Sequence, residues 1–258
     1  MIFYFSSTGN SKALAESLAS HLNDKAIDIV PLLDSPSVTW KIGSCESLGF
    51  VFPIYGWSLP DIVRTFLSRL SIEGYSRQYV YFAVTCGDDV GVADRPIRQV
   101  LAQAGLQLNA GYSVTMPDSY VCLPGFDVDS DEERKEKYAA FGPRVAEIAG
   151  KIIEHREVMD IKRGVCAWIK TNVLGWYFRK YLITDKPFHS TDKCIGCSTC
   201  VSVCPLKNIT LNDAKHPEWH GHCTGCLACY HHCPTRSIRF GRRTEKKGQY
   251  LYSKYRGQ

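Results

Sequence analysis

The chain opens with MIFYFSSTGNSKALAESLASHL, residues 1–22, in which three kinds of segment follow one another. Residues 1–5 are apolar and predict a short buried strand. Residues 11–22 place Leu14, Leu18 and Leu22 four positions apart, which predicts a helix with one apolar face. Between them lies SSTGNS, residues 6–11, made of small polar residues and one glycine. A strand joined to a helix by a short polar loop is the first half of the unit that builds parallel sheets.

The same alternation of apolar and amphipathic segments continues to about residue 116. Four more short apolar runs predict strands at 26–30, 48–52, 79–84 and about 112–116. Amphipathic stretches predict helices at 60–70, about 92–104 and about 129–156, and we expect the Gly142-Pro143 pair to break or bend the last one. The pattern therefore predicts an α/β fold with a doubly wound, five-stranded parallel sheet.

The loop at residues 6–11 has the composition of an anion site. Small hydroxyl side chains and a glycine before a helix let backbone N–H groups and hydroxyls surround a phosphate at the positive helix end. The same composition also occurs where Ser or Thr only caps a helix, so the loop alone leaves both interpretations open. Lys12 follows Ser11, so the Gly-Lys-Ser/Thr sequence of nucleotide-hydrolysing proteins is missing. No Gly-x-Gly-x-x-Gly follows a predicted strand either, so we find no NAD(P)H-binding motif.

Ser6, Thr8, Gly9 and Ser11 match the Ser/Thr-x-Thr-Gly-x-Ser/Thr phosphate loop of flavodoxins, which about residues 1–155 resemble. The resemblance implies that the chain binds FMN with its phosphate at this loop. It also implies that the loops PIYGWSLP and TCGDDVG, after the third and fourth strands, bracket the isoalloxazine ring. The residues implied to contact FMN are Ser6, Ser7, Thr8, Gly9, Asn10, Ser11, Pro53, Ile54, Tyr55, Gly56, Trp57, Thr85, Cys86 and Gly87.

Individual side chains in these loops allow more than one interpretation. Tyr55 and Trp57 either stack on the ring or pack within the protein. Asp88 and Asp89 partly fit the acidic third loop that flavodoxins often have, and for Cys86 beside them we favour a buried thiol over a redox-active one. The MPDSY stretch after the fifth strand is expected to reach the same site through Tyr120. If the chain is an enzyme, Tyr55, Cys86 and Tyr120 are the candidates for a catalytic role.

Two cysteine runs distinguish the C-terminal part of the chain. CIGCSTCVSVCP, residues 194–205, and CTGCLACYHHCP, residues 223–234, space four cysteines identically and end in proline. A zinc site would need two pairs around one ion and would leave the third and fourth cysteines of each run unused. The spacing C-x2-C-x2-C-x3-C-P is instead that of iron–sulfur ligands.

About residues 188–240 resemble the bacterial ferredoxins with two [4Fe-4S] clusters, in which the fourth cysteine of each run ligates the cluster of the other run. The resemblance implies one cluster held by Cys194, Cys197, Cys200 and Cys233, and a second held by Cys204, Cys223, Cys226 and Cys229. Since all eight thiolates are present, we expect His222, His231 and His232 to lie at the surface or behind the ligands.

Composition separates the chain into two parts. Residues 1–150 have 12 Lys and Arg against 18 Asp and Glu, a net charge of −6, whereas residues 151–258 have 19 against 8, a net charge of +11. A basic half without a recognition motif does not indicate nucleic-acid binding. Neither a signal peptide nor a run of 18 apolar residues is evident. Clustered cysteines are typical of metal binding in a reducing compartment, so we expect a cytoplasmic protein.

We expect four segments along the chain: a flavodoxin-like FMN-binding domain at 1–157, a connecting segment at 158–187, a two-[4Fe-4S] domain at 188–240 and a basic tail at 241–258. The connecting segment mixes Lys and Arg with Trp, Tyr and Phe. An amphipathic membrane-surface segment is one interpretation; we favour a helix whose aromatic side chains pack over the join between the domains. The tail has few aliphatic residues, so we expect it to be mobile or loosely docked.

The order of the two domains resembles flavodoxin–ferredoxin fusion proteins of anaerobic bacteria and archaea. The resemblance implies an electron-transport protein that relays electrons between two [4Fe-4S] clusters and FMN. We expect redox proteins as its partners, with no nucleic acid and no membrane span. The alternative is an FMN-dependent reductase of a small molecule that receives electrons through its own ferredoxin domain. The carrier predicts an exposed flavin edge, whereas the reductase predicts a closed pocket with a proton donor.

Overall fold

Short strands organise the N-terminal part of the chain around one parallel sheet. The structure is a computed structural model that describes residues 1–43 and 47–255, so Cys45 lies outside the described residues. The strands are β1 (Ile2–Tyr4), β2 (Ala26–Asp28), β3 (Val38–Lys41), β4 (Leu48–Pro53), β5 (Leu70–Glu73), β6 (Val80–Cys86), β7 (Ala110–Thr115) and β8 (Met159–Asp160). Their order across the main sheet is β2-β1-β4-β6-β7-β8, and all neighbouring pairs are parallel.

Helices cover both faces of this sheet, as the apolar runs require. They are α1 (Asn10–Leu22), α2 (Asp61–Arg69), α3 (Asp94–Gln103) and α4 (Asp131–Ile153). Successive residues of a strand point to opposite faces, so Phe50 and Phe52 pack with α2 and α3, while Val51 packs with α1 and α4. The prediction of an α/β fold with a doubly wound parallel sheet is confirmed.

The sheet has one strand more than the five that the sequence predicts. Residues 159–160 pair with Gly111 and Tyr112 at the open edge of β7 and form β8. The sequence did not predict β8, because two residues are too few to give a hydrophobic pattern and one of them, Asp160, is charged. Its carboxylate is held by Arg144 and Lys151 of α4, which fixes the strand against the sheet. Two further short segments, β3 and β5, pair with each other outside the main sheet.

The expected break at Gly142-Pro143 is not observed, because α4 continues through Pro143. The helix begins with a capping box in which Ser130 and Glu133 satisfy each other's backbone N–H groups. After the proline, Val145, Ile148 and Ile152 are buried on the sheet. Burial of this apolar stripe offsets the hydrogen bond that a proline removes from a helix interior.

Residues 167–182 form one uninterrupted helical segment, which we call the connecting helix. The α-helical turns α5 (Ala167–Ile169) and α6 (Gly175–Tyr177) alternate with π-helical turns at Lys170–Leu174 and Phe178–Leu182. The expectation that its aromatic side chains pack over the domain join is wrong for most of them: Trp168, Trp176, Tyr177 and Tyr181 are each about half exposed. The face turned to the protein contains small residues such as Thr171 and Gly175, which are buried, so the bulky rings fall on the opposite face.

The C-terminal module consists of two short antiparallel pairs and two short helices. Its elements are β9 (Phe188–Ser190), α7 (Thr199–Ser202), β10 (Ile209–Leu211), β11 (Pro217–Trp219), α8 (Ala228–His232) and β12 (Ile238–Phe240). β10 pairs with β11, and β12 pairs with β9. Its apolar core also contains Val121 and Cys122, which follow β7 in the N-terminal domain.

The expectation of a loosely docked tail is wrong for the part that the structure describes. Thr244, Tyr250 and Leu251 are buried, and a short helix α9 (Tyr252–Tyr255) follows. The Tyr250 hydroxyl donates to Asn10 Oδ1 at 2.5 Å, which joins the tail to the first turn of α1. The tail has few aliphatic residues, but its aromatic rings supply the apolar surface that docks it.

Within the described ranges, none of the helices combines the length and the apolar character that crossing a bilayer requires.

Candidate flavin and iron–sulfur site

A cavity of about 530 Å3 lies at the carboxyl edge of the main sheet, where β1, β4, β6 and β7 end. This volume is within the range of small-molecule sites, and the position is where doubly wound sheets bind ligands. Of the fourteen residues implied to contact FMN, thirteen line it and Gly9 does not. The thirteen are Ser6, Ser7, Thr8, Asn10, Ser11, Pro53, Ile54, Tyr55, Gly56, Trp57, Thr85, Cys86 and Gly87.

Gly9 shapes the phosphate loop instead of lining the cavity. It is the N-cap of α1 with φ at +102°, a conformation that glycine adopts without strain. A β-carbon at this position would lie 2.8 Å from Cβ of Tyr252. The loop therefore needs glycine both for its backbone angle and for its contact with the tail.

Long-range hydrogen bonds hold the rest of the phosphate loop. Asn10 Nδ2 donates to the Pro117 carbonyl at 2.9 Å, and the hydroxyls of Ser11 and Thr85 lie 2.7 Å apart. The Tyr252 N–H donates to the Thr8 carbonyl at 2.8 Å. The Thr8 carbonyl thus accepts a hydrogen bond from the tail. The first N–H groups of a helix have no partner within the helix, so they suit an anion. The first turn of α1 contains no acidic residue that would oppose one.

The loop after β4 turns sharply beside the cavity. Tyr55 and Ser58 exchange backbone hydrogen bonds of 2.9 and 3.2 Å around Gly56 and Trp57, which both have positive φ. Two left-handed central residues define a tight two-residue hairpin turn. Trp57 is a bulky residue in this conformation, and such residues occur where surrounding contacts enforce them, often at functional sites. Its indole N–H donates to Asp89 Oδ1 at 3.1 Å, which fixes the ring.

Tyr55 and Cys86 are both protonated in this environment. Burial raises the pKa of the Tyr55 hydroxyl, which lies 3.3 Å from Ser7 Oγ. Burial also raises the pKa of the Cys86 thiol to about 12, and its sulfur lies 3.6 Å from the Asp88 carbonyl. The geometry therefore favours our interpretation of Cys86 as a buried, unreactive thiol.

The connecting helix covers one side of the cavity, which the sequence did not predict. Its residues Lys170, Leu174, Tyr177, Phe178 and Leu182 are part of the lining. Lys170 forms a salt bridge with the buried Asp89. Asp89, which partly fits the acidic third loop of flavodoxins, is thus neutralised by Lys170 of the connecting helix, outside the flavodoxin-like fold.

Close contacts fix this helix onto the loops. A β-carbon on Gly175 would lie 2.4 Å from the Gly56 carbonyl, and one on Gly56 would lie 2.5 Å from the Phe178 ring. Arg179 donates to the same carbonyl of Gly56 at 2.9 Å. The ring of Tyr120 meets that of Phe178 edge to face at 5.3 Å. Tyr120 therefore reaches the site, as MPDSY suggested, and burial raises the pKa of its hydroxyl.

The eight cysteines of the two runs line two separate small cavities. Cys194, Cys197, Cys200 and Cys233 line one, and Cys204, Cys223, Cys226 and Cys229 line the other. The structure thus brings each fourth cysteine to the other run, in the same two groups of four that the ferredoxin resemblance implies. No group of three or more His, Cys, Asp or Glu side chains within 1–43 and 47–255 is close enough to hold a single metal ion.

The backbone of the two runs repeats with a spacing of 29 residues. Left-handed residues recur in pairs at Gly196 and Gly225, at Ser198 and Leu227, and at Lys207 and Arg236. These turns direct N–H groups at sulfur: Gly225 N–H donates to Cys223 Sγ at 3.3 Å and Ser237 N–H donates to Cys233 Sγ at 3.2 Å. Hydrogen bonds of this kind stabilise thiolates and tune iron–sulfur centres.

Two buried donors also line the cavity of the second group. The Thr224 hydroxyl and the Trp219 indole N–H lie there without a hydrogen-bond partner of good geometry among the described residues. Trp219 is nevertheless near enough to the Cys229 sulfur to lower its pKa, against the larger opposing effect of burial. Buried donors are normally satisfied, so their position fits a ligand with acceptor atoms, such as the sulfides of a cluster. Burial raises the pKa of Cys226 to about 12, so binding of iron by this sulfur at neutral pH would have to displace its proton.

The second group of cysteines lies directly against the large cavity. Gly225, Cys226 and Leu227 line it, and Cys226 also lines the small cavity of its own group. Cys226 is close enough to Tyr55 that its charge, when it is ionised, is the second cause, after burial, of the raised pKa of Tyr55.

Of the three histidines beside the second cysteine run, one lies where the sequence suggested and two connect segments of the protein. His222 is exposed, as expected. His231 is fully buried, so a surface role is wrong for it: it accepts from the Tyr250 N–H at 3.1 Å and donates to the Ser119 carbonyl at 2.7 Å. His232 Nε2 lies 3.1 Å from the Ser7 carbonyl. The last two histidines join the C-terminal module to the phosphate loop and to the loop after β7, a role that needs the tertiary structure to be seen.

The fold and the two kinds of site define a flavodoxin-like domain followed by an iron–sulfur module. Comparison with protein families agrees: a flavodoxin domain model matches residues 1–117, and a 4Fe-4S dicluster domain model matches residues 186–234. The chain therefore contains an N-terminal flavodoxin domain and a C-terminal 4Fe-4S dicluster domain, the order of a flavodoxin–ferredoxin fusion. None of the curated proteins matches it.

Solved structures with similar folds share little sequence with the chain. The Trp repressor binding protein from Bacillus subtilis is 15% identical with a TM-score of 0.33, covering 56% of this chain and 97% of its own. The NAD(P)H:quinone oxidoreductase from Methanothermobacter marburgensis is 14% identical with a TM-score of 0.37, covering 57% and 93%. The rubredoxin oxygen:oxidoreductase from Desulfovibrio gigas is 12% identical with a TM-score of 0.28, covering 59% and 36%.

Proposed function

We propose that this protein transfers electrons between FMN in the large cavity and two [4Fe-4S] clusters, and exchanges them with redox protein partners. One observation supports the proposal above all: Cys226 lines both the large cavity and the cavity of the second cysteine group. A ligand of one redox centre thereby forms part of the wall of the other.

The residues of the large cavity fit FMN. A helix N-terminus with a glycine cap and without acidic residues faces one end, which suits a phosphate. Tyr55 and Trp57, in the loop after β4, also line the cavity and offer aromatic surface that suits the ring system of a flavin. When bound, FMN would supply one- and two-electron chemistry, and each [4Fe-4S] cluster would supply one-electron chemistry.

The chain's own residues would orient and shield these groups. Ser7 and Tyr55 join the phosphate loop to the loop after β4, and Asp89 holds Trp57 in place. The connecting helix and Tyr120 exclude water from the side of the cavity that they cover. The Thr224 hydroxyl and the N–H groups directed at sulfur would stabilise negative charge at the second cluster.

A kinetic experiment on one cysteine tests the relay. Protein reconstituted under anoxia should contain about one FMN and about eight irons per chain. After mixing with a reduced low-potential ferredoxin, bleaching of the flavin absorbance should be at least about tenfold slower in Cys226→Ser, because the second cluster is lost. Cys166→Ser is the matched control, since Cys166 is exposed and belongs to neither group. A Cys226→Ser protein that keeps its FMN and the wild-type bleaching rate would show that the relay does not exist.

A second candidate function is the reduction of a small molecule above the flavin. The covering by the connecting helix favours it, and the hydroxyl-bearing side chains of Tyr55 and Tyr120 line the cavity. Turnover of added electron acceptors that is lost in Tyr120→Phe, while transfer to a redox protein is unchanged, would favour the reductase over the carrier.

The remaining expectations belong to the same proposal. We keep the segments 1–157, 158–187, 188–240 and 241–258 as the boundaries to be tested by limited proteolysis. A cytoplasmic location in an anaerobe would suit the eight cysteine ligands, since thiolates and clusters persist under reducing conditions. The absence of a nicotinamide motif supports a protein as electron donor, and fast flavin reduction by NADPH alone would contradict this.

A further inference from the structure

The outer face of the connecting helix is a continuous apolar ridge. Trp168 is 56% exposed, Trp176 50% and Tyr181 51%, although large apolar side chains are mostly buried in folded proteins. The ridge consists of Val165, Trp168, Ile169, Val173, Leu174, Trp176, Tyr177 and Tyr181. An exposed patch of this composition marks an interaction surface.

The ridge is held in place by the opposite face of the helix. Thr171 is buried and its hydroxyl accepts from the Val92 N–H at 2.9 Å. Gly175 lies so close to the Gly56 carbonyl that a larger side chain would not fit. Lys170 is anchored by Asp89. These contacts fix the rotation of the helix about its axis. The exposure of its aromatic rings therefore follows from how the helix packs and not from fraying.

The segment that carries the ridge contributes cations and no carboxylates of its own. Residues 161–184 contain five Lys and Arg and no Asp or Glu. Three of these cations pair with carboxylates of the flavodoxin domain, at Asp88, Asp89 and Asp94. Arg179 and Lys180 remain at the C-terminal end, where the Lys180 ammonium lies 4.8 Å from the Trp176 ring and 5.2 Å from the Tyr181 ring. Asp185 follows in the chain but is buried.

From this geometry we propose that the connecting helix docks the protein onto the surface of an anionic phospholipid bilayer. Trp and Tyr combine an apolar ring with a polar group and are enriched at the level of lipid headgroups. A helix that lies in this interface has such rings on one face and Lys or Arg beside them. Lipid phosphates repel unpaired carboxylates; residues 161–184 contribute none, and Asp88, Asp89 and Asp94 beside them are paired with Lys162, Lys170 and Arg163. The net charge of +11 on residues 151–258 favours the same kind of surface.

Docking in this orientation would bring the bilayer to the rim of the proposed flavin cavity. Leu174 and Tyr177 belong to the exposed ridge and to the lining of the cavity at once. A helix is about 10–12 Å across, so the cavity would lie within one helix diameter of the headgroups.

Flotation with lipid vesicles tests the proposal on the reconstituted full chain. Wild-type protein should float with vesicles of phosphatidylglycerol and phosphatidylcholine, should bind vesicles of phosphatidylcholine alone at least about tenfold more weakly, and should be released by salt. Trp168→Ser/Trp176→Ser should weaken binding at least about tenfold, and Lys180→Glu should weaken it by about threefold to tenfold. FMN and iron contents equal to wild type would show that each variant is folded.

Ile153→Ser is the matched control, because Ile153 is a large exposed apolar side chain at the end of α4, outside the ridge. Its binding to vesicles should equal that of the wild type. The proposal is overturned if the wild type does not float, or if Ile153→Ser weakens binding as much as the tryptophan variants. It is also overturned if the wild type dimerises without vesicles and Trp168→Ser/Trp176→Ser abolishes the dimer, because the ridge is then an interface between copies of the chain.

Discussion

The phosphate loop and the cysteine runs are held in different ways. In each cysteine run, backbone N–H groups reach sulfur atoms only two to four residues away, as Asn208 does for Cys204 in the first run and Gly225 for Cys223 in the second. The phosphate loop instead depends on distant partners: Asn10 bonds Pro117 and Tyr250, and Thr8 bonds Tyr252. A local site tolerates changes elsewhere in the chain, whereas a site built from distant segments depends on each of them.

The two cysteine runs nevertheless depend on each other, because the fourth cysteine of each run belongs to the group of the other run. Cys204→Ala should remove the cluster proposed for Cys204, Cys223, Cys226 and Cys229, because a cubane cluster needs four thiolates. We expect iron to fall from about eight to about four per chain while FMN stays bound. Iron analysis and the spectra of the reduced protein measure this. Cys166→Ala is the control and should keep all the iron; loss of both clusters in Cys204→Ala would mean that the module is one cooperative unit.

The phosphate loop should be most sensitive at Gly9. Gly9→Ala forces a residue with a β-carbon to adopt φ at +102° and places that carbon 2.8 Å from Tyr252 Cβ. We expect the free energy of unfolding to fall by about 1–3 kcal/mol and FMN affinity to fall with it. Chemical denaturation and flavin fluorescence titration measure these effects.

Gly142→Ala is the matched control for Gly9→Ala. Gly142 lies inside α4 with open space around its α-carbon. Alanine there should leave stability unchanged or raise it by up to about 1 kcal/mol. Equal losses in both variants would show that the left-handed cap is not what makes Gly9 sensitive.

The tail contributes to the phosphate loop through a hydroxyl. Tyr250→Phe removes the bonds of this buried hydroxyl to Asn10 at 2.5 Å and to Tyr138 at 2.8 Å. We expect the free energy of unfolding to fall by about 1–2 kcal/mol, together with weaker FMN binding. Tyr255→Phe should have little effect, since that hydroxyl is 3.5 Å from its acceptor. If the iron content changed and FMN affinity did not, the tail would serve the C-terminal module instead.

The smallest effect should appear at the second cysteine group. Thr224→Val keeps the shape of the side chain and removes a buried hydroxyl that no described residue accepts. If this hydroxyl donates to the cluster, its loss should lower the reduction potential of that cluster, because the donor stabilises the reduced, more negative state. Thr191→Val is a control, since its hydroxyl is also buried without a partner among the described residues but lines neither cysteine cavity. Potentiometric titration of both variants should show a shift in Thr224→Val alone.

The connecting helix both covers the large cavity and forms part of its exposed rim. The connecting helix covers the cavity with Phe178 and Leu182, yet Leu174 and Tyr177 on its rim are half exposed. The sequence did not reveal this arrangement. The aromatic residues of 158–187 do not recur with a helical period that would show which rings face the protein. The glycine at position 175 was the available signal, since a glycine within a helix often marks a close approach of another backbone.

The sequence alone determined the features that depend on short-range pattern. Alternation of apolar runs predicted the parallel sheet, the SSTGNS loop marked an anion site or a helix cap before α1, and the cysteine spacing indicated iron–sulfur ligands, whose two sets the ferredoxin resemblance implied. These patterns are readable because strand period, helix period and ligand spacing are set by local geometry. The tertiary structure decided the rest: that Cys226 lies against the large cavity, that Tyr250 contacts Asn10 and His231 contacts Ser119, and that the connecting helix turns its tryptophans outward. Those contacts join residues more than a hundred positions apart, or depend on which face of a helix is packed, and no local period encodes either.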